Sequence, residues 1–348
     1  MDIVKKDINN KNIIWIDNLR AICAIGIVLL HVAAKMSRSY DKVSENDWLI
    51  SNFYINLARF GVPIFIMMTG LLSLGKQYTF KHFTKKFSRV LVPFLFWSFI
   101  YIIFKILILH FKNHIILNFN FVIEYSYLEL VTGVAYHMWY IYMLLRIYLL
   151  LPLINQWIMV SNQKQQLCFM IVCFLVLFIF CKFFDTIYLS NYIMRYAEFL
   201  GYLVLGYYLV RRKYKYNIKY YIISCVIIFL LSYLYICFDS YTATINSGVY
   251  TEQFKPWDLF QALSVFLLFY LVPIFNKKNK ILSLISEYSY GIYLIHVLII
   301  GLFDNIGLDA LSFNPLFSIP IITFCTLIIS ILLLYILNKL PLGKYIVK

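Results

Sequence analysis

The chain has 348 residues, of which 62% are hydrophobic and only 14% are charged, and its formal net charge is +15. A soluble domain is about 45–50% apolar and about 25% charged, so this chain has too few polar residues to cover soluble domains. The composition therefore excludes a soluble enzyme, a disordered regulator and a collagen-like fibre. It predicts a polytopic helical membrane protein, because the apolar runs are continuous and do not alternate.

Ten apolar runs approach the length of about 20 residues that a helix needs to cross a bilayer. The fifth run is short and the sixth carries charges. We predict an all-α bundle of about ten transmembrane helices that forms a single domain over residues 1–348, with no appended soluble domain. The predicted spans are 13–34, 50–74, 88–110, 136–155, 167–184, 191–210, 218–238, 257–275, 281–303 and 316–338.

The distribution of positive charge predicts the orientation of this bundle. When both termini are placed in the cytoplasm, the inner segments hold 20 Lys and Arg residues and the outer loops hold 6. Basic residues collect in the cytoplasmic loops of membrane proteins, so both termini are expected on that side. The same bias explains the net charge without nucleic acid, for which the sequence has no base-reading motif.

Charged side chains inside a bilayer cost about 2.5–3.5 kcal/mol on insertion scales and often mark functional sites. The first span holds three polar residues of this kind, Asp17, Arg20 and His31. Arg20 and His31 are eleven residues apart, so an α-helix places them on one face, about 16 Å apart along its axis. Asp17 is one turn before Arg20 and is expected to pair with it. One helix face therefore carries a fixed ion pair and an imidazole that can take a proton from a hydroxyl group.

Several other spans place polar side chains toward a common interior. Two of them lie at the outer end of the fourth span, and one lies in the outer half of the second. Three more recur at intervals of four and three residues in the ninth span, which puts them on one helix face. The candidate substrate-binding residues are His137 and Trp139, Arg59, and Ser289, Tyr293 and His296.

The predicted inner loop between the second and third spans is strongly basic. Its cations include Lys85, Lys86 and Arg89, and the positive-inside bias alone is enough to explain them. A more specific interpretation is a cytoplasmic site for an anionic donor such as coenzyme A, or for anionic lipid. The sequence has no P-loop, GxGxxG or HExxH motif, so nucleotide hydrolysis, dinucleotide redox chemistry and zinc hydrolysis have no support. No metal site is predicted.

Five short motifs in a fixed order make the sequence similar to one family. The first is a basic residue, ten intervening residues and a histidine, here Arg20 and His31, preceded by Asp17. The chain resembles the acyltransferase-3 family of integral membrane O-acyltransferases, whose members commonly O-acetylate bacterial surface glycans. The resemblance covers residues 13–338. The other four motifs are an apolar run ending in Thr-Gly at 61–70, Arg before Pro at 89–94, His-x-Trp at 137–140, and Ser-Tyr-x-x-Tyr-Leu-x-His at 289–296.

The resemblance implies transfer of an acyl group, most often acetyl, from cytoplasmic acyl-CoA to a hydroxyl group of an extracytoplasmic or lipid-linked glycan. It implies a location in the bacterial cytoplasmic membrane, acetyl-CoA as a consumed donor, and no permanently bound cofactor. His31 is then the general base or a transient carrier of the acyl group. Arg20, oriented by Asp17, holds the donor or stabilises an oxyanion. The residues expected to attract the donor's phosphates are Arg89, Lys85 and Lys86.

Two other functions are compatible with the same residues. A transporter or flippase would use the intramembrane polar groups as a substrate path, and it predicts no acylated product. A non-catalytic partner in polysaccharide export predicts that the Arg20 and His31 side chains are dispensable. The sequence leaves open the acceptor, acetyl against succinyl or longer acyl groups, direct transfer against an acyl-histidine, the role of Arg146, and whether the protein forms a homo-oligomer.

Overall fold

The structure is a computed structural model that describes residues 14–77, 80–111, 114, 118–183, 188–214, 217–248 and 256–347, with only the backbone for residues 80, 177, 180–183 and 188–196. All regular secondary structure in these ranges is helical, as the composition predicts. The α-helices are α1 (Ile14–Ser37), α2 (Glu45–Leu57), α3 (Gly61–Ser73), α4 (Phe80–Phe111), α5 (Phe119–Thr132), α6 (Trp139–Val160), α7 (Gln163–Phe183), α8 (Tyr188–Arg211), α9 (Ile218–Ser247), α10 (Trp257–Leu271), α11 (Lys280–Asn305), α12 (Pro315–Asn338) and α13 (Gly343–Val347).

Within the described ranges, seven helical segments are long and apolar enough to cross a membrane. They are α1, α2 together with α3, α4, α6, α9, α11 and α12. The other three predicted spans are also helical, at α7, α8 and α10, but they do not belong to the seven. Length and composition therefore give a multi-pass helical membrane protein, and the full count of ten crossings stays a prediction.

The second predicted span is interrupted, which the sequence analysis did not foresee. Helix α2 ends at Leu57, α3 begins at Gly61, and a turn closes the gap with a 3.1 Å hydrogen bond from the Gly61 amide to the Ala58 carbonyl oxygen. The local signal is Pro63, because proline has no N–H and is favoured in the first turn of a helix. This α2–α3 break lies beside the candidate site described below.

Helices α3 and α8 approach each other unusually closely at two glycines. A Cβ atom built on Gly70 would lie 1.7 Å from the Leu203 carbonyl oxygen, and one built on Gly206 would lie 2.0 Å from the Met67 carbonyl oxygen. Small residues permit such backbone contact between membrane helices. These two glycines therefore determine how far apart α3 and α8 pack.

Helix α1 is the central helix of the candidate site. It packs against α2, α3, α11 and α12, and most of its residues are buried. Arg20 contacts Ser286 and, eleven residues later, His31 contacts His296. Helices α1 and α11 therefore run in the same direction, which agrees with the first and ninth predicted spans crossing the membrane the same way.

Candidate active site

Three histidines from distant parts of the chain meet near one end of α1. His31 lies on α1, His296 lies on α11, and His137 lies two residues before α6. The His296 ring centroid is 5.1 Å from that of His31 and 5.0 Å from that of His137, and the His31 and His137 centroids are 6.2 Å apart. We call these three residues the histidine cluster. The sequence selected each of them separately, and packing brings them together.

The histidine cluster presents buried imidazole nitrogens. Nδ1 of His296 lies 3.0 Å from the Ile292 carbonyl oxygen and 2.7 Å from that of Tyr293. Because carbonyl oxygens only accept hydrogen bonds, Nδ1 carries the proton and Nε2 has the free lone pair. That Nε2 and Nδ1 of His31 make no hydrogen bond to the residues that the structure describes. Neutral imidazoles in this arrangement can accept the proton of a hydroxyl group.

A cavity of about 110 Å³ lies beside the histidine cluster. His31 and His137 line it, and so do three other predicted residues, Arg59, Trp139 and Tyr293. Small-molecule sites are mostly apolar with a few placed polar groups, and this cavity has that character. Its remaining lining residues are Ile27, Leu30, Ile55, Ala58, Val62 and Tyr140.

The three predicted residues of α11 differ in what they contact. His296 belongs to the histidine cluster, and the Tyr293 hydroxyl donates a hydrogen bond to the His137 carbonyl oxygen. Tyr293 thereby holds the segment that carries His137. Ser289 instead donates to the Ser286 carbonyl oxygen of its own helix at 2.9 Å. It does not line the cavity, so this geometry gives Ser289 no direct contact with a substrate there.

Arg59 forms a forked ion pair with Asp258 of α10. Its Nε lies 3.0 Å from Oδ1 and its Nη2 lies 3.4 Å from Oδ2. The Arg59 side chain is 8% exposed and that of Asp258 is 0% exposed. Asp258 was not among the predicted site residues, although an acid at the start of an otherwise apolar predicted span is a visible signal. The two residues are 199 positions apart, so only tertiary packing pairs them.

Tyr136 connects the histidine cluster with the exposed surface. Its ring centroid is 5.3 Å from that of His31 and 5.7 Å from that of His137, and the residue is 49% exposed. The guanidinium carbon of Arg38 lies 5.0 Å from the Tyr136 ring centroid. Neither residue was among the predicted site residues, and the local signal for Tyr136 is its position directly before the His-x-Trp motif.

Arg20 lies in a different environment near the start of α1. Its Nη1 donates to Asp17 Oδ1 at 2.9 Å, so the predicted pair is present, and it also contacts Ser286 Oγ at 3.3 Å. The Arg20 and Asp17 side chains are 29% and 43% exposed. We call Asp17, Arg20 and Ser286 the arginine cluster. None of them lines the cavity, and about 16 Å of helix separates Arg20 from His31.

Basic side chains gather at the end of α3 that lies away from the cavity. Lys86 donates to Ser73 Oγ at 3.1 Å and is within electrostatic range of Lys76 and Arg89. Two of the predicted donor-binding residues, Lys86 and Arg89, therefore lie close together. The third, Lys85, is exposed on α4.

Two residues that the sequence analysis did not select complete this group. Lys76 follows α3, and the Asn155 side chain donates to its carbonyl oxygen at 2.7 Å. Burial and the charge of Arg211 lower the pKa of the Lys76 ammonium. Arg211 ends α8 and its guanidinium lies 4.0 Å from the Tyr207 ring centroid. Cationic side chains of this kind can bind phosphate. We call these four residues the basic cluster: Lys76, Lys86, Arg89 and Arg211.

Comparison with known proteins gives the class to which this helical bundle belongs. A family model described as an acyltransferase domain, that of the acyltransferase 3 family, matches residues 13–335. The match covers nearly the whole chain, so the protein belongs to this family, as its motifs predicted, and is a membrane acyltransferase. No curated protein and no solved structure matches the chain.

Proposed function

We propose that this protein transfers an acetyl group from cytoplasmic acetyl-CoA to a hydroxyl group of an extracytoplasmic or lipid-linked glycan. The observation that carries the proposal is the histidine cluster beside a small, largely apolar cavity. Membership of the acyltransferase 3 family supports the acyl transfer itself. The setting that we propose is the bacterial cytoplasmic membrane.

His31 is the residue that we assign as general base. It lines the cavity, and its buried Nδ1 makes no hydrogen bond to the described residues. Two further imidazoles are in ring contact with it and can hold or pass on the proton. A positioned general base contributes about 10²–10⁴-fold to a rate.

The cavity has room for a short acyl group. Its volume of about 110 Å³ is several times the space of about 10–15 Å³ that one water molecule needs, so an acetyl group fits. We propose acetyl-CoA as the donor because the sequence motifs resemble those of O-acetyltransferases.

The two ends of α3 lie near two separate sites, the cavity and the basic cluster, which we assign to the reacting groups and to the phosphates of coenzyme A. It begins beside the cavity and ends at Ser73, which accepts a hydrogen bond from Lys86 of the basic cluster, about 18 Å away over its 12 helical steps. With both termini in the cytoplasm, the basic cluster faces the cytoplasm, where the phosphates of coenzyme A would bind it. The arginine cluster is a second polar site on that side, in which Asp17 balances the charge of Arg20. Lys85 adds charge at the exposed surface.

The acceptor would approach the histidine cluster from the opposite side. Tyr136 is half-exposed there, in ring contact with His31 and covered by Arg38. An exposed aromatic ring next to the general base offers a flat apolar contact for a sugar ring. A hydroxyl group of that sugar would then reach His31.

Mass spectrometry of surface glycans from a bacterial host tests the function. Four strains are compared: the wild type, a deletion, and the deletion complemented with His31→Ala or with His110→Ala at matched protein level. His110 is the control because it lies at the end of α4 and outside the histidine cluster. We expect one acyl mass in the wild type and the His110→Ala strain that is absent from the other two.

Each other outcome selects an alternative. If His31→Ala restores the acyl mass, His31 is not catalytic and the assigned site is wrong. If all four strains carry the same acyl masses, glycan acylation is not the function in that host. A flippase or an export partner would then be examined by transport of the unmodified lipid-linked glycan.

A further inference from the structure

The α2–α3 break packs against α1 close to His31. A Cβ atom on Gly26 would lie 3.3 Å from the Ala58 Cβ, and one on Gly61 would lie 3.0 Å from Ile27 Cγ1. Ile27 is four residues before His31, so the two share a face of α1. The break therefore forms the wall of the cavity next to the general base.

Two positively charged features lie at this wall: the Arg59 guanidinium and the start of helix α3. Ala58 and Arg59 within the break, and Val62 just after it, line the cavity. Helix α3 begins at Gly61, and the start of a helix carries a partial positive charge. Irregular backbone at membrane depth is tolerated where it is buried in protein or lines a cavity, and interrupted helices often form binding sites.

Asp258 holds the Arg59 guanidinium in one orientation. The fork of two nitrogens on two carboxylate oxygens restricts rotation of a planar group. A second polar contact ties the same helices together, since the Gln261 side chain of α10 donates to the Asn56 carbonyl oxygen of α2 at 2.8 Å. The cation is thus oriented before any substrate arrives.

We propose that Arg59 is a catalytic residue that stabilises the oxyanion of the acyl transfer, and that Asp258 is its positioning residue. This inference rests on the proposed function. The acceptor oxygen attacks the thioester carbonyl carbon, and its proton passes to His31. The carbonyl π electrons move to oxygen, which becomes the oxyanion beside Arg59. When the carbonyl re-forms, the C–S bond breaks and the coenzyme A thiolate leaves with the proton from His31.

The geometry favours Arg59 over Arg20 for this role. Arg59 and His31 line the same cavity, whereas about 16 Å of α1 separates Arg20 from His31. A hydrogen-bond donor that stabilises an oxyanion must lie within hydrogen-bond distance of that oxygen. The stabilisation is strongest in a site that excludes water. On this assignment, the role of Arg20 is to bind acetyl-CoA, the acyl donor.

The test removes the Arg59 charge without leaving its partner unpaired. The double variant Arg59→Met/Asp258→Leu replaces the ion pair with apolar groups of similar size, which proteins often tolerate. Lys105→Met/Glu129→Leu is the matched control, because it removes a 2.5 Å ion pair between α4 and α5 outside the cavity. Purified proteins are assayed for melting temperature, for binding of acetyl-CoA, and for transfer of labelled acetyl to glycan in membranes.

We expect the Arg59→Met/Asp258→Leu protein to melt and bind acetyl-CoA like the wild type, with kcat reduced about 10²–10³-fold. The Lys105→Met/Glu129→Leu control should keep the wild-type kcat. Normal kcat in the first variant, or a raised KM alone, would overturn the assignment. If the first variant does not fold, Arg59→Lys decides: it keeps the charge but loses the fork, and we expect a lower kcat with unchanged KM. An unchanged kcat in Arg59→Lys would also overturn the assignment of Arg59 to the oxyanion.

The proposed function fails in a different way. In that case the wild type transfers no more label than His31→Ala. If the wild type is active and only the Arg59 prediction fails, the enzyme assignment stands and the oxyanion is stabilised elsewhere.

Discussion

The histidine cluster and the arginine cluster lie on the same helix but in unlike surroundings. The histidine cluster contains residues from α1, α11 and the segment before α6, and each of its histidines has a buried ring nitrogen. The arginine cluster consists of one pair within α1 and one serine of α11, with Arg20 29% exposed. Bond-making chemistry benefits from groups that are oriented and shielded from water, whereas binding of a charged donor can occur near water. The proposed function therefore assigns catalysis to the histidine cluster and donor binding to the arginine cluster.

The largest effect should come from comparing His31→Gln with Arg20→Gln. Loss of the base should reduce kcat about 10²–10⁴-fold with little change in the KM for acetyl-CoA. Loss of the Arg20 charge should mainly raise that KM, by about 10–100-fold, since a hydrogen bond to a charged group contributes about 1.5–3 kcal/mol. Steady-state kinetics in membranes measures both. If both variants lower kcat equally, the separation along α1 is wrong.

Helix α3 connects the cavity with the basic cluster, so changing its packing should affect both. Gly70→Ala would place a methyl group against the Leu203 carbonyl oxygen and should destabilise the protein by about 1–3 kcal/mol. Thermal unfolding in detergent measures the change. Gly301→Ala is the control, since a Cβ there meets nothing within 4 Å, and it should be neutral or stabilising by up to about 1 kcal/mol. Equal melting temperatures for both variants would contradict the close α3–α8 contact.

The basic cluster should influence only the donor. Arg211→Gln should raise the KM for acetyl-CoA about fivefold at low salt, equivalent to about 1 kcal/mol for one near-surface charge. The increase should shrink at high salt, because ions screen partly exposed charges. Kinetics at two salt concentrations tests this. A change in kcat, or an effect independent of salt, would argue against a phosphate-binding role.

The smallest effect concerns the loop near the His31 end of α1. Asp309 Oδ2 lies 2.6 Å from Lys35 Nζ; burial alone would raise the pKa of Asp309, but the pair with Lys35 lowers it. A lowered carboxyl pKa contributes stability above the unfolded value, near 3.9, that is lost as pH falls through the folded value. The wild type should lose up to about 1 kcal/mol more than Asp309→Asn between pH 5 and pH 3. Melting temperatures of the two proteins are measured across this pH range. If both fall equally between pH 5 and pH 3, the Lys35–Asp309 pair makes no such contribution.

Local rules were enough to predict much of the molecule. The Asp17–Arg20 pair followed from a spacing of three residues on one helix, and the structure contains it. The same-face positions of Tyr293 and His296 followed from helical periodicity. Each candidate in the cavity was also selected from residue type and depth. What these rules missed were partners distant in sequence, including Asp258, Tyr136, Lys76 and Arg211.

The sequence by itself determined that the predicted spans are helical, because apolar runs in a bilayer must satisfy their backbone hydrogen bonds internally. It did not predict α5 or the break between α2 and α3. It also determined the family, through motifs that are each local. Only the tertiary structure decided that the three histidines meet, that the second span is interrupted at 58–60, and that Arg59, and not Arg20, shares the cavity with His31. The physical reason is that helix rotation and separation depend on side-chain packing between distant segments, such as the contacts of Gly70 and Gly206, which no single stretch of sequence contains.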